Sequence, residues 1–136
     1  MSKFKISSEE MWHEINAQHG DSGGAYILKC DSGNGSPIPV DRLLSKDLDG
    51  ILYIGKASSF LNRVADLKKS ISPEYKSGSH ECGSRFKQHS GISAAFPYES
   101  LYLNLVEDTE PRAVESTLLK EYEDKFGELP PLNRVS

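Results

Sequence analysis

Leu52-Tyr53-Ile54-Gly55-Lys56-Ala57, continued by Phe60-Leu61-Asn62-Arg63-Val64, decides how the chain is read. The run Ile51 to Ile54 is apolar and aromatic, a short strand that ends in Gly55, and Asp49-Gly50 before it is tight-turn chemistry. Ser58 or Ser59 can cap the helix that follows, in which Leu61, Val64, Leu67 and Ile71 recur at helical spacing. That helix carries Arg63 early, so Tyr53, Lys56 and Arg63 put a phenol and two cations at one strand-to-helix junction. A matching strand lies upstream, Gly24-Ala25-Tyr26-Ile27-Leu28, running to Lys29. The two strands are expected to be antiparallel neighbours joined by a long loop.

The rest of the chain falls into place around this pair. Ser7-Ser8-Glu9-Glu10 fits a capping box and predicts a helix over 8–19. Cys30 to Asp49 holds Asp-Ser-Gly-Asn-Gly-Ser and Pro-Ile-Pro, which cannot continue a strand, and Val40 to Leu44 reads as a single helical turn. Pro73 to Gly91 is polar and glycine-bearing, with a short helix around Ser84 to Gln88. Leu101, Leu103 and Leu105 alternate along a third strand. Pro111 to Phe126 is the clearest helix, with proline in its first turn and Gly127 past its end. Val114, Leu118, Tyr122 and Phe126 form its apolar stripe, and Glu115 borders that stripe. The expected fold is α+β: a small three-stranded antiparallel sheet flanked by helices, a single domain over 1–136 with its core at about 24–133.

Composition narrows the function classes. The net charge is -4, which argues against a general nucleic-acid coat, because non-specific affinity grows with the phosphates neutralised. The cations nevertheless gather in the middle, at Lys56, Arg63, Lys68, Lys69, Lys76, Arg85 and Lys87, while the acids crowd the C-terminal third. A cationic ligand face backed by an acidic outer helix satisfies both facts. No apolar run is long enough to span a membrane, and the N-terminus lacks a signal-peptide core, so a cytoplasmic protein with no membrane partner is expected. Cys30 and Cys82 are then free thiols. His80, Cys82 and His89 have a spacing that fits no paired-ligand zinc knuckle.

Gly24 and Gly55 at corresponding strand ends let another backbone or a ligand approach closely. Together with Tyr26, Tyr53, Arg63, Glu115 and Asn133 they resemble the GIY-YIG nuclease superfamily. Gly24-Ala25-Tyr26 is similar to its first triplet, and Tyr53-Ile54-Gly55 matches the second. Arg63 stands ten positions after Tyr53, Glu115 lies in the helix after the third strand, and Asn133 follows near the chain end. The resemblance implies a DNA endonuclease that hydrolyses phosphodiesters with one divalent cation per site, Mg2+ or Mn2+. It would make Glu115 the metal ligand and Tyr26 the general base or the group that orients the attacking water. Lys56 would favour the phenolate, Arg63 would stabilise the phosphate charge, and Tyr53 would bond the phosphate or the water. Gly24, Gly55 and Asn133 would order the site. Arg85 and His89 repeat an Arg-x-x-x-His spacing, so the catalytic arginine is either Arg63 or Arg85, with His89 beside the latter and Lys87 as a further DNA contact. The implied partner is DNA, with a second protein supplying DNA specificity. The alternative is a non-catalytic nucleic-acid- or protein-binding module on the same scaffold.

Overall fold

The computed structural model describes residues 2–73 and 81–133; Lys76 and His80 lie outside them. Its main sheet grows from three apolar segments, β2 (Gly24–Cys30), β5 (Tyr53–Ala57) and β6 (Leu101–Glu107). A two-residue strand, β1 (Phe4–Lys5), adds to the far edge, giving four antiparallel strands in the order β1-β6-β2-β5. The expected sheet of three is therefore one strand short. Phe4 pairs with Leu103 and Lys5 with Tyr102, a register that brings together distant parts of the chain. As expected, β2 and β5 are antiparallel neighbours, with Tyr26 opposite Gly55 and Leu28 opposite Tyr53.

The loop between them is more ordered than its turn residues suggest. Val40–Asp41 (β3) pairs with Lys46–Asp47 (β4) as a small separate ribbon, where a helical turn was expected at 40–44. Asp47 explains why it holds. Its carboxylate is only 1% exposed and accepts from Tyr122 Oη at 2.9 Å, Asp49 N at 2.9 Å and Ile51 N at 3.0 Å. A buried carboxylate with three donors is satisfied, and it ties the ribbon both to the start of β5 and to the C-terminal helix.

Period-2 alternation gives the sheet two faces. Tyr26, Leu28, Leu103 and Leu105 belong to the larger core, which they share with helices α1 (Met11–His19), α2 (Phe60–Ile71) and α3 (Glu81–Gln88). Helix α1 starts later than the capping box implies, because Ser8 Oγ accepts from Glu10 N at 3.1 Å and closes a turn before the helix. Phe60, Leu61, Val64, Leu67 and Ile71 of α2 are all buried. Each such side chain stabilises the fold by roughly 1.5–3 kcal/mol, and truncating Leu67 to alanine would cost roughly 2–5 kcal/mol. On the other face Ile27 and Ile54 pack on Leu119 of α5 (Pro111–Phe126). Between α3 and β6 lies the short helix α4 (Ser90–Ala95). Because β5 is an edge strand, residues from both faces can meet at its free side.

Candidate active site

Tyr26 lies fully buried in β2, with its ring laid across Gly55 on the neighbouring strand. A Cβ at position 55 would stand 2.5 Å from Tyr26 Oη and 2.8 Å from Cε1, so glycine there is a packing requirement. Gly24 has the same character: its φ is +149°, and a Cβ would press on the Val106 carbonyl. Tyr53, two residues along β5 from Gly55, shares its face, and the two phenol rings lie 6.0 Å apart, tilted by 40°. Burial, then the neighbouring Tyr53, pushes the Tyr26 phenol far above its ordinary value of 10.0, against the opposing pull of Arg63. Burial and the nearby Cys82 likewise raise Tyr53, while Arg63 and a hydrogen bond with Tyr26 lower it. Both phenols therefore keep their protons at neutral pH.

The cation hydrogen-bonded to Tyr26 is Arg63, which also donates from Nη1 to Asp66 Oδ2 at 3.0 Å. Burial opposes the charge of Arg63, but Tyr26, Asp66 and Tyr53 together hold its pKa above the ordinary value. Lys56 is turned elsewhere. Alternation sends it to the α5 face, and its Nζ lies 3.9 Å from Glu115 Oε1. Glu115 sits one turn before Leu119, with its side chain 17% exposed. Burial raises its pKa, and Lys56 and then Arg112 pull it down. Tyr53 feels the Glu115 charge, so the acid and the phenol reach the same edge of β5 from opposite faces.

Asn133 completes that edge. Its Oδ1 accepts from Ile54 N and its Nδ2 donates to Ile54 O, both at 3.0 Å, while Leu132 N donates to Leu52 O at 2.9 Å. The amide thus stands in for a neighbouring strand and fixes β5 without covering Tyr53 or Lys56.

Arg85 in α3 and His89 just past its end face the C-terminal segment that pairs with the chain before β5. With Ile92, Pro131 and Leu132 they line a hollow of about 400 Å³. Arg85 Nε and Nη2 are buried and have no hydrogen-bond partner among the described residues. Such orphaned donors are costly in a fold, and they suit an incoming anion. His89 is exposed, and its Nδ1 accepts from Ile92 N at 3.3 Å, which leaves the proton of the neutral ring on Nε2. Lys87 lines a separate hollow with Ile71, Phe86 and Tyr98.

The structure thus brings Tyr26, Tyr53, Gly55 and Arg63 into one cluster and joins Lys56 with Glu115. Arg85 with His89 forms a second cationic position. Two members were missed. Cys82 is fully buried and within electrostatic reach of both phenols. Arg112 lines a groove of about 530 Å³ with Lys56, Ser58, Asn62, Arg63 and Asp66. Its place in the first turn of α5, three residues before Glu115, was the available signal.

No set of three His, Cys, Asp or Glu side chains among the described residues is arranged to enclose a metal. The donors on offer are carboxylates, half-buried Glu115 beside Lys56, and Asp66 of the open groove, the latter already engaged by Arg63. That set does not suit zinc, and it fits a hard cation such as Mg2+ or Mn2+, which retains several of its waters and takes one or two carboxylates. Compared with models of known protein families, with curated proteins and with solved structures, the chain matches none.

Proposed function

We propose that the protein is a metal-dependent DNA endonuclease of the GIY-YIG type. The observation that carries the reading is the convergence on one strand edge of a hydrogen-bonded Tyr26–Tyr53–Arg63 cluster and the Glu115–Lys56 pair. Phosphoryl transfer demands positioning and electrostatic stabilisation more than covalent chemistry from the protein, and these residue types supply both.

Roles follow from exposure and protonation. Glu115 would hold the cation, which when bound polarises a phosphate oxygen and lowers the pKa of bound water. Tyr53, half-buried at the edge, donates through Oη to a phosphate oxygen or to the attacking water. Tyr26 has no exposed surface, so it acts through its neighbours, positioning Tyr53 and Arg63. The high pKa values of both phenols favour donation and orientation of water over a phenolate base at either Oη. Arg63 is already engaged by Tyr26 and Asp66, whereas two Arg85 nitrogens lack partners. This difference favours Arg85 as the group that takes the phosphate charge, with His89 Nε2–H as a second donor.

The decisive measurement is nicking of supercoiled plasmid with Mg2+ or Mn2+ by wild type and Glu115→Gln, together with thermal unfolding with and without Mg2+. Wild type should nick and gain thermal stability with Mg2+; the variant should do neither. Nicking that persists in Glu115→Gln sinks the metal assignment, and no cleavage across plasmid, branched and single-stranded DNA sinks the enzyme. The acidic net charge and the internal pairing of Lys56 and Arg63 favour one competitor, a binding module without catalysis. It would bind its partner equally well without metal and after Tyr53→Phe.

A further inference from the structure

Two cationic hollows flank the β5 edge. One holds Arg85 and His89 and is tied to the start of β5, where Leu132 N bonds to Leu52 O. The other lies at the far end of the strand and holds Lys56, Arg63 and Arg112 with Ser58, Ser59 and Asn62. Leu52 and Lys56 are four residue steps apart, roughly 13 Å at the usual rise, too far for one phosphate group to touch both. In the second hollow Arg63 is ion-paired with Asp66 at 3.0 Å and Lys56 lies 3.9 Å from Glu115. Arg112 is exposed and makes no such ion pair among the described residues.

The position of Arg112 also runs against helix electrostatics. It stands in the first turn of α5, which contains no acid, and the helix field there disfavours a cation. The opposite charge within reach is Glu115, one helical turn on and already beside Lys56, so an anion in the groove would offset the remaining cost. On the other side of Ser58 and Pro111 the surface turns acidic: a neighbouring hollow is lined by Glu107 and Asp108. A phosphate chain leaving the β5 edge is therefore attracted into the Arg112 groove and repelled beyond it.

We propose that Arg112, with Asn62 and Ser58 of the same groove, binds a backbone phosphate flanking the scissile one, so that the DNA strand runs along β5 from the Arg85 hollow to the Arg112 groove. The inference rests on the endonuclease reading and adds to it the path of the substrate strand and a contact outside the set implied by the resemblance. Lys56 borders the same groove and links this flanking contact to Glu115.

The test is binding of a short fluorescein-labelled DNA duplex, followed by anisotropy across a salt series in EDTA, where no cleavage competes. Loss of one phosphate contact lowers the slope of log K against log salt by about 0.9. Raising the salt about fourfold then costs Arg112→Gln about 3.5-fold less affinity than it costs wild type. Arg112→Lys should keep the wild-type slope, because the charge releases the counterion, and Lys125→Gln at the opposite end of α5 should leave it unchanged. A wild-type slope in Arg112→Gln overturns the inference while the endonuclease reading stands. No binding by wild type removes both. Displacement of the duplex by inorganic phosphate, beyond the effect of chloride at equal ionic strength, would mark a small-anion site and also overturn the strand path.

Discussion

Gly55→Ala should strike the site and the fold through a single atom. The added Cβ would stand 2.5 Å from Tyr26 Oη, where ordinary contact begins at 3.4 Å, so the ring must withdraw by at least 0.9 Å. Tyr26 has no empty side to withdraw into, since it is fully buried and hydrogen-bonded to Arg63. Overpacking of this kind costs about 1–3 kcal/mol. For a chain of 136 residues the unfolding entropy is about 0.29 kcal/mol/K, so the melting temperature should fall by about 3–10 °C. A displacement near 1 Å in a catalytic constellation also costs about a hundredfold in rate, so plasmid nicking should fall by that order. Thermal unfolding followed by circular dichroism measures the first effect, and single-turnover nicking the second. A double-mutant cycle with Tyr26→Leu isolates the cause, because removing Cζ and Oη should make Gly55→Ala nearly free of cost. Wild-type stability in Gly55→Ala, or an undiminished penalty in the Tyr26→Leu background, would refute the reasoning.

Three further outcomes follow from other parts of the molecule. Arg85→Met keeps the apolar stem and removes orphaned buried donors, so the urea midpoint should hold or rise while DNA cleavage is lost; a lowered midpoint would show that the guanidinium serves the fold. Asp47→Ala orphans Tyr122 Oη and Ile51 N and should cost about 2–5 kcal/mol in urea denaturation, with Asp47→Asn in between; an unchanged midpoint would contradict the role of the carboxylate in holding the ribbon. Glu107 is held below the ordinary carboxylate value of 4.5, chiefly by its hydrogen bond with His19 at 2.8 Å. Its contribution is thus present above that value and lost as pH falls through the lower folded one, so Glu107→Gln should flatten the acid limb of the stability–pH curve. An identical acid limb in the variant would count against it.

Strong local patterns were legible, and pairings between distant segments were not. Leu101, Leu103 and Leu105 announce β6 by alternation, and Pro111 with Gly127 brackets α5 within the chain. Phe4–Lys5 is too short to carry a period, and only the register with β6 makes it a strand. Val40–Asp41 resembled a helical turn because its pairing partner and the buried Asp47 contacts are not local features. The site divides in the same way. Tyr26, Tyr53 and Gly55 were readable as strand positions, and alternation alone could have put Lys56 on the opposite face, toward Glu115 instead of Tyr26. Which arginine meets a phenol depends on how α2 and α3 pack, and no spacing within either helix reveals it.

The amide of Asn133 has a consequence for the integrity of the sheet. An edge strand exposes unpaired N–H and C=O groups that invite another chain to dock, yet a substrate site on that edge must stay open. Here one side chain occupies both hydrogen-bonding groups of Ile54 with none of the bulk of a further strand. Under the proposed function, guarding against aggregation and admitting a substrate fall to adjacent residues of the same strand. Asn133→Ala should then leave β5 able to recruit a second molecule, and the sign of its loss would be turbidity on standing before any fall in melting temperature.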